Sequence, residues 1–198
     1  MIVKKGWIAL GAVVLVLLFA YGGFKGTYNG FVQTQEEVNR TWADVESSYQ
    51  RRADLIPNLV ETVKAYASHE KEVLTSVTEA RSRVGQMNVS AENLTPEAIQ
   101  RFQQAQQGLS GALSRLLVVA ERYPDLKANQ NFRDLQVQLE GTENRINVAR
   151  NRFNQAAREY NGRVRSFPAS IVANVTGFQP KPYYQAEAGA AQAPKVKF

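Results

Sequence analysis

Between Val38 and Val84 the larger residues fall at gaps that alternate four and three: Val38, Trp42, Val45, Tyr49, Arg52, Ile56, Leu59, Val63, Tyr66, Glu70, Val73, Val77, Ala80 and Val84. That spacing is the period of a helix with one buried stripe, so this stretch is read as a helical seam and not as strands. Pro57 lies in its middle, within Arg51-Arg52-Ala53-Asp54-Leu55-Ile56-Pro57-Asn58-Leu59-Val60. A proline there removes one backbone hydrogen bond and crowds the carbonyl of Ala53, at a cost of about 3 kcal/mol. The phase passes through Pro57 without a slip, and no glycine or turn dipeptide stands beside it, so the spacing predicts a kink and no hairpin. If helix persists from Phe31 to Gly85, a rod of about 80 Å results. Arg52 and Glu70 put charge on this stripe, and each needs a partner on a neighbouring helix or a water-lined pocket. Whether those partners belong to the same chain or to a second copy is open at this stage.

Ahead of the seam, nineteen uncharged residues run from Gly6 to Phe24 between Lys5 and Lys25. As a helix they span about 28 Å, close to the ~30 Å hydrocarbon core of a bilayer. Trp7 at one end and Tyr21, Phe24 and Tyr28 at the other stand where interfacial aromatics belong. A cleaved signal peptide is the competing reading, with Lys4-Lys5 as its basic region and Ala20-Tyr21-Gly22 as its cleavage site. The apolar run exceeds the ~7–15 residues of a signal core, which favours an uncleaved signal-anchor. Lys4, Lys5 and the amino terminus precede the span, so the N-terminus is expected in the cytoplasm and the remainder outside it. Gly22, Gly23, Gly26 and Gly30 are expected to loosen the chain as it leaves the membrane.

Past Gly85, Gln86 to Thr95 reads as a loop, with Thr95 as N-cap, Pro96 at the first helical position and Glu97 in the first turn. A second seam follows: Ile99, Phe102, Gln106, Leu109, Leu113, Leu116, Ala120 and Tyr123, stopping at Pro124. After a connector from Asp125 to Gln130, a third runs Phe132, Leu135, Leu139, Thr142, Ile146, Ala149, Phe153, Ala156, Tyr160, Arg163 and Phe167. Pro168 ends or restarts that helix, and Ile171, Val172, Val175 and Phe178 suit a short amphipathic segment. The expected fold is therefore all-α: a transmembrane helix (residues 1–27) leading into an antiparallel bundle of three long helices and a short C-terminal one (28–178). The Ala-, Gln- and Pro-rich stretch 179–198 is expected to be a disordered tail. The membrane-proximal seam Val38, Trp42, Val45 and Tyr49 needs cover, either from the third helix and the Pro168–Phe178 segment or from another copy of the chain.

Charge and composition narrow the function. The net charge of +6 is concentrated in Lys4, Lys5 and Lys25 and in Lys181, Lys195 and Lys197, leaving residues 26–180 nearly neutral. That distribution suits a membrane anchor and argues against nucleic acid as a partner. Arg145, Arg150, Arg152, Arg158, Arg163 and Arg165, opposed in that interval only by Glu159, read as a solvated face or as a contact for acidic lipid headgroups. Cysteine is absent, which excludes disulfides, thiol catalysis, cysteine zinc sites and a lipidated cysteine. No nucleophile elbow or glycine-rich phosphate loop is present, and His69 is the only histidine. His69-Glu70 is half a metal site at most; Asp54, Glu70, Glu121 and Glu140 form an acidic site only if the fold gathers them. No catalytic, cofactor or metal residues are assigned, and no small-molecule substrate is expected. Three Asn-X-Ser/Thr matches, at Asn88, Asn93 and Asn174, are read as loop and cap residues.

Several blocks resemble the LemA family: Tyr28-Asn29 after the apolar span, Trp42, Tyr49 to Val60, Tyr66-Ala67-Ser68-His69-Glu70, Glu121 to Asn129, Leu139 to Ile146, Ala149-Arg150, Tyr160-Asn161, Phe167-Pro168 and Gly177-Phe178. The resemblance covers roughly residues 5–184. It implies a helical protein anchored in a bacterial envelope membrane, with no established enzymatic activity and a link to membrane organisation. On this reading the chain is a scaffold in the bacterial inner membrane, single-pass, that self-associates and organises membrane or membrane-bound partners. The alternative is an adaptor or substrate of a membrane protease or other envelope complex. Candidate interaction or structural residues are Trp42, Tyr49, Arg51, Arg52, Asp54, Pro57, Asn58 and Glu70.

Overall fold

The computed structural model describes residues 2–87, 89–91 and 94–185. Among these it contains six helices and no strand: α1 (Ile2–Tyr66), α2 (Lys71–Gly85), α3 (Pro96–Ala120), α4 (Pro124–Ala128), α5 (Gln130–Arg165) and α6 (Ala169–Thr176). Helix α1 is 65 residues long and carries Pro57 in its interior, as the seam requires. The carbonyl of Ala53, which Pro57 cannot bond, accepts instead from Nε of Arg81 on α2 at 2.9 Å. A side chain from the next helix thus replaces the missing ladder bond.

That contact exists because the rod expected from Phe31 to Gly85 does not form. The chain turns at Ala67–Glu70, with the Glu70 amide donating to the Ala67 carbonyl at 3.1 Å, and α2 runs back beside α1. No glycine or proline marks the turn. Its driving force is burial: reversal lets Leu74, Val77 and Val84 pack with Ile56, Leu59, Val63 and Ala67 of α1 and with α3, whereas an extended rod would leave that stripe bare. The seam also slips there, since Ala67 is buried while Tyr66 is exposed, and Leu74 is buried in place of Val73. Gly22, Gly23, Gly26 and Gly30 do not loosen the chain after the apolar segment either. Helix α1 runs through all of them, because interior glycines cost only about 1 kcal/mol each and long helical stretches flank them on both sides.

The remaining caps follow the sequence closely. Thr95 accepts from the amide of Ala98 at 3.1 Å, and Pro96 opens α3. Helix α3 ends at Ala120, and Pro124 does not merely stop it: the expected connector contains α4, with Pro124 in its first turn. Asn129 caps α5, accepting from Phe132 at 3.0 Å. Along α5 the buried stripe shifts from Tyr160 to Val164, so Arg163 and Phe167 face outward. Gly177, at φ 81°, closes α6 in the left-handed conformation that a side chain would resist.

Helix α5 lies along α1, and its residue numbers fall as those of α1 rise. Arg163 meets Gly30, the rings of Phe153 and Trp42 are 5.2 Å apart, Glu143 bonds Arg52 at 2.9 Å and Asn129 bonds Tyr66 at 3.0 Å. The proximal seam is thereby covered within one chain. Val38, Trp42, Val45 and Tyr49 pack with Val89, Leu94, Ile99, Phe102, Ile146, Phe153 and Tyr160. A second cluster, built on Ile56 to Ala67 of α1, fills the far end. Arg52 stands between the two.

Candidate functional site

Polar groups cluster where the two apolar cores meet. Arg52 is only 3% exposed, and its guanidinium reaches two other helices. Nη1 donates to Ser110 Oγ of α3 at 3.1 Å and to Glu143 Oε2 of α5 at 2.9 Å; Nη2 donates to the side-chain oxygen of Gln106. Its Cζ also lies 5.0 Å from the centre of the Tyr49 ring. Glu143 is nearly half exposed, so the pair keeps one foot in water and avoids the full desolvation penalty of a buried ion pair. Among the described residues Arg52 Nε and Gln106 Nε2 find no acceptor. The cleft they border holds about 10 Å³, room for about one water molecule.

Over this layer lies a strap that sequence reasoning had assigned to the disordered tail. Pro180 and Pro182 fix their own φ and bias Gln179 and Lys181 toward extended backbone, and Gln179–Gln185 runs without helix. Two asparagines of α5, seven residues apart and hence on one face, grip it by its backbone. Asn161 Oδ1 accepts from the Lys181 amide at 2.7 Å while its Nδ2 donates to the Lys181 carbonyl at 2.8 Å. Asn154 holds Tyr184 in the same way, at 2.8 and 2.9 Å. Gln103 Nε2 and Arg150 donate to the carbonyl of Gln185 at 2.9 and 3.3 Å. Tyr184 is buried, its hydroxyl 2.6 Å from that of Tyr49 and its ring 4.2 Å from the Arg150 guanidinium. Burial raises both hydroxyls above the ordinary tyrosine value, so they stay protonated and hydrogen-bonded. The rest of the expected tail, 186–198, lies outside the described residues.

The other candidates are scattered. Trp42 is fully buried, donating from Nε1 to the Val89 carbonyl at 2.9 Å. Tyr49 packs edge-on against Phe102 at 5.1 Å. Arg51, Asp54, Pro57 and Asn58 are exposed on α1; Asp54 accepts from Gln50 at 2.8 Å and the Asn58 carbonyl accepts from Thr62 at 2.7 Å. Glu70 lies 3.3 Å from both Arg122 and the Tyr123 hydroxyl, so it braces the hairpin turn against the end of α3. Asp54, Glu70, Glu121 and Glu140 do not converge: among the described residues no three histidine, aspartate or glutamate side chains gather as a metal site. Glu143 and Asn161 lay within the blocks Leu139–Ile146 and Tyr160-Asn161, but neither they nor Gln103, Asn154 and Tyr184 were given a role from sequence. Alternate prolines in the strap, and two asparagines at heptad spacing beside an apolar seam, were the signals that could have found them.

A sequence model described as the LemA family matches residues 41–198. Magnetosome protein MamQ 2 of Paramagnetospirillum magneticum is 27% identical over 175 residues, covering 80% of this chain and 64% of its own length. Magnetosome protein MamQ of Magnetospirillum gryphiswaldense is 26% identical over 174 residues, covering 79% and 64%. Protein LemA of Metamycoplasma hominis is 22% identical over 171 residues, covering 86% and 74%. The chain thus spans less than two thirds of the length of the magnetosome relatives it matches.

Proposed function

Because the chain belongs to the LemA family, we propose that it is a membrane-anchored, non-catalytic helical scaffold that self-associates and organises envelope membrane or membrane-bound partners. The observation that carries this reading is the continuity of α1. Its segment Gly6–Phe24 exposes large apolar side chains, among them Trp7, Leu17 and Phe19 at 72, 62 and 78%, and the same helix then enters the core at Phe31. An apolar helix this long and bare suits a bilayer, and the likeness to magnetosome proteins supports a membrane setting. On this proposal residues 1–27 are the signal-anchor. The soluble part is an antiparallel bundle starting at 28, with the strap Gln179–Gln185 drawn into it. The protein sits in the bacterial inner membrane, N-terminus in the cytoplasm. The descending contacts between α1 and α5 support the antiparallel arrangement. Arg52 sets the register of α1, α3 and α5, and Glu70 fixes the hairpin turn.

The test is the mass of the full chain in mild detergent by light scattering, with the detergent contribution subtracted. A defined multiple of 22.1 kDa is expected; a strict monomer across a wide concentration range would end the self-association part. One observation favours the second reading, an adaptor or substrate for an envelope complex such as a membrane protease. The proximal seam, the surface that most needed a second copy, is covered within the chain. Removing the residues after Gln185 abolishes partner capture under the adaptor reading and leaves the scaffold unaffected.

A further inference from the structure

The end of the domain nearest Phe24 carries an apolar face on which none of the described residues packs. Helix α6 is fixed on its inner side: Ala173 is buried and Phe178 stacks against Tyr28 and Phe31 at 5.6 and 5.2 Å between ring centres. Its outer side presents Ile171 and Val175, four residues apart and 56 and 74% exposed, and Phe167, two residues before the helix, is 82% exposed. Exposed apolar side chains are ordinary when single, but a cluster of three bulky ones beside a bare apolar helix points to a surface that is covered in use.

Its level relative to the membrane follows from the contacts. The facing pairs Trp42–Phe153 and Arg52–Glu143 set a stagger that puts Arg165, the last residue of α5, abreast of Gly30, about 9 Å beyond Phe24 at ~1.5 Å per residue, and the Arg163 guanidinium reaches Gly30 as well. The polar zone of each leaflet is about 5–8 Å thick. Charge agrees with this placement. Lys25, Arg163 and Arg165 lie at this end, and neither 20–35 nor 160–178 contains an aspartate or glutamate. Apolar side chains flanked by cations and free of carboxylates match the boundary between acyl chains and anionic headgroups.

We infer that α6 with Phe167 is a second membrane contact: Phe167, Ile171 and Val175 dip into the bilayer that α1 spans, and Lys25, Arg163 and Arg165 engage its anionic headgroups. The inference rests on α1 being a membrane span, and the experiment separates the two. Unmodified full-length chain is placed in nanodiscs of mixed phosphatidylcholine and phosphatidylglycerol containing a lipid with a diazirine near the headgroup end of its acyl chain. After irradiation, labelled peptides are mapped by mass spectrometry. Label both in Gly6–Phe24 and in 167–178 is expected. Label in Gly6–Phe24 alone overturns the second contact and keeps the anchor; label in neither overturns both. A cysteine-free chain also accepts one reporter, so Ile171→Cys and, as a distant exposed control, Val137→Cys carry an environment-sensitive dye. Headgroup-level nitroxide lipid should quench the first at least about twofold more than the second, and Arg163→Gln with Arg165→Gln should remove the gain from anionic lipid. Equal quenching at the two positions refutes the contact.

Discussion

Arg81 and Pro57 form a pair whose coupling can be measured. Pro57 leaves the Ala53 carbonyl without its ladder donor, and Arg81 Nε supplies one at 2.9 Å from a partly buried side chain. Hydrogen bonds involving a charged group contribute about 1.5–3 kcal/mol, and partial exposure argues for the low end of that range. Arg81→Met should therefore cost about 1–2 kcal/mol in the native sequence. Pro57→Ala restores an amide that can bond the same carbonyl and removes up to about 3 kcal/mol of helix-interior strain. In that background the carbonyl is satisfied without Arg81, and Arg81→Met should cost only about 0–0.5 kcal/mol. The coupling energy is then about 1–1.5 kcal/mol, above the few tenths expected of independent sites. Denaturant unfolding of the full chain in a nonionic micelle, followed by circular dichroism for wild type, both single variants and the double, gives all four corners. Equal cost of Arg81→Met in both backgrounds would refute the substitution of one donor for another, and with it the account of how the proline is tolerated.

Other outcomes follow from the polar layer and strap. Arg52→Met should lose about 2–3 kcal/mol, below the ~3–5 of a fully buried broken pair because Glu143 can turn to water, and the same unfolding assay reads it. Asn154→Leu and Asn161→Leu each remove two backbone bonds of roughly 1 kcal/mol, so amide exchange at Tyr184 and Lys181 should accelerate at least about tenfold, with α3 exchange unchanged. Tyr49 and Tyr184 have hydroxyls raised by burial, so the folded state keeps protons that the unfolded chain releases from about pH 10 upward. Stability conferred by the pair is thus complete below that pH and lost as pH rises further. Absorbance titration should show Tyr49 and Tyr184, together with the likewise buried Tyr160, ionising only with loss of helix, and Tyr49→Phe should lower that number by one.

The seams were legible because apolar side chains at heptad spacing must be buried somewhere: Trp42, Ile56, Leu109 and Phe153 are all buried where the period put them. Thr95 and Asn129 act as caps through chemistry local to a few residues, although the sequence reading named only the first. The turn at Ala67–Glu70 was not legible. A helical hairpin whose two arms face each other shows an almost unbroken heptad through its own turn, and no residue there forbids helix. Its cause is the surface it buries, which periodicity does not report. The strap was missed for a related reason. Lys181 and Tyr184 are held by backbone amides and carbonyls, groups every residue has, so the recognising asparagines left their mark on α5 and none on the tail. Arg52 was recognised as a charge in need of a partner, but Glu143, Gln106 and Ser110 lie 91, 54 and 58 residues away in sequence.

With no loop between the apolar segment and the core, α1 behaves as a lever. From Phe24 to Tyr66 the helix extends about 63 Å at ~1.5 Å per residue. Transmembrane helices tilt by about 20° on average, and by more where the hydrocarbon layer is thin. A 20° tilt of the α1 axis carries the hairpin tip at Ala67–Glu70 sideways by about 20 Å. On the proposed membrane span, local bilayer thickness would set the position of a surface far from the lipid, where Glu70, Arg122 and the exposed His69 stand.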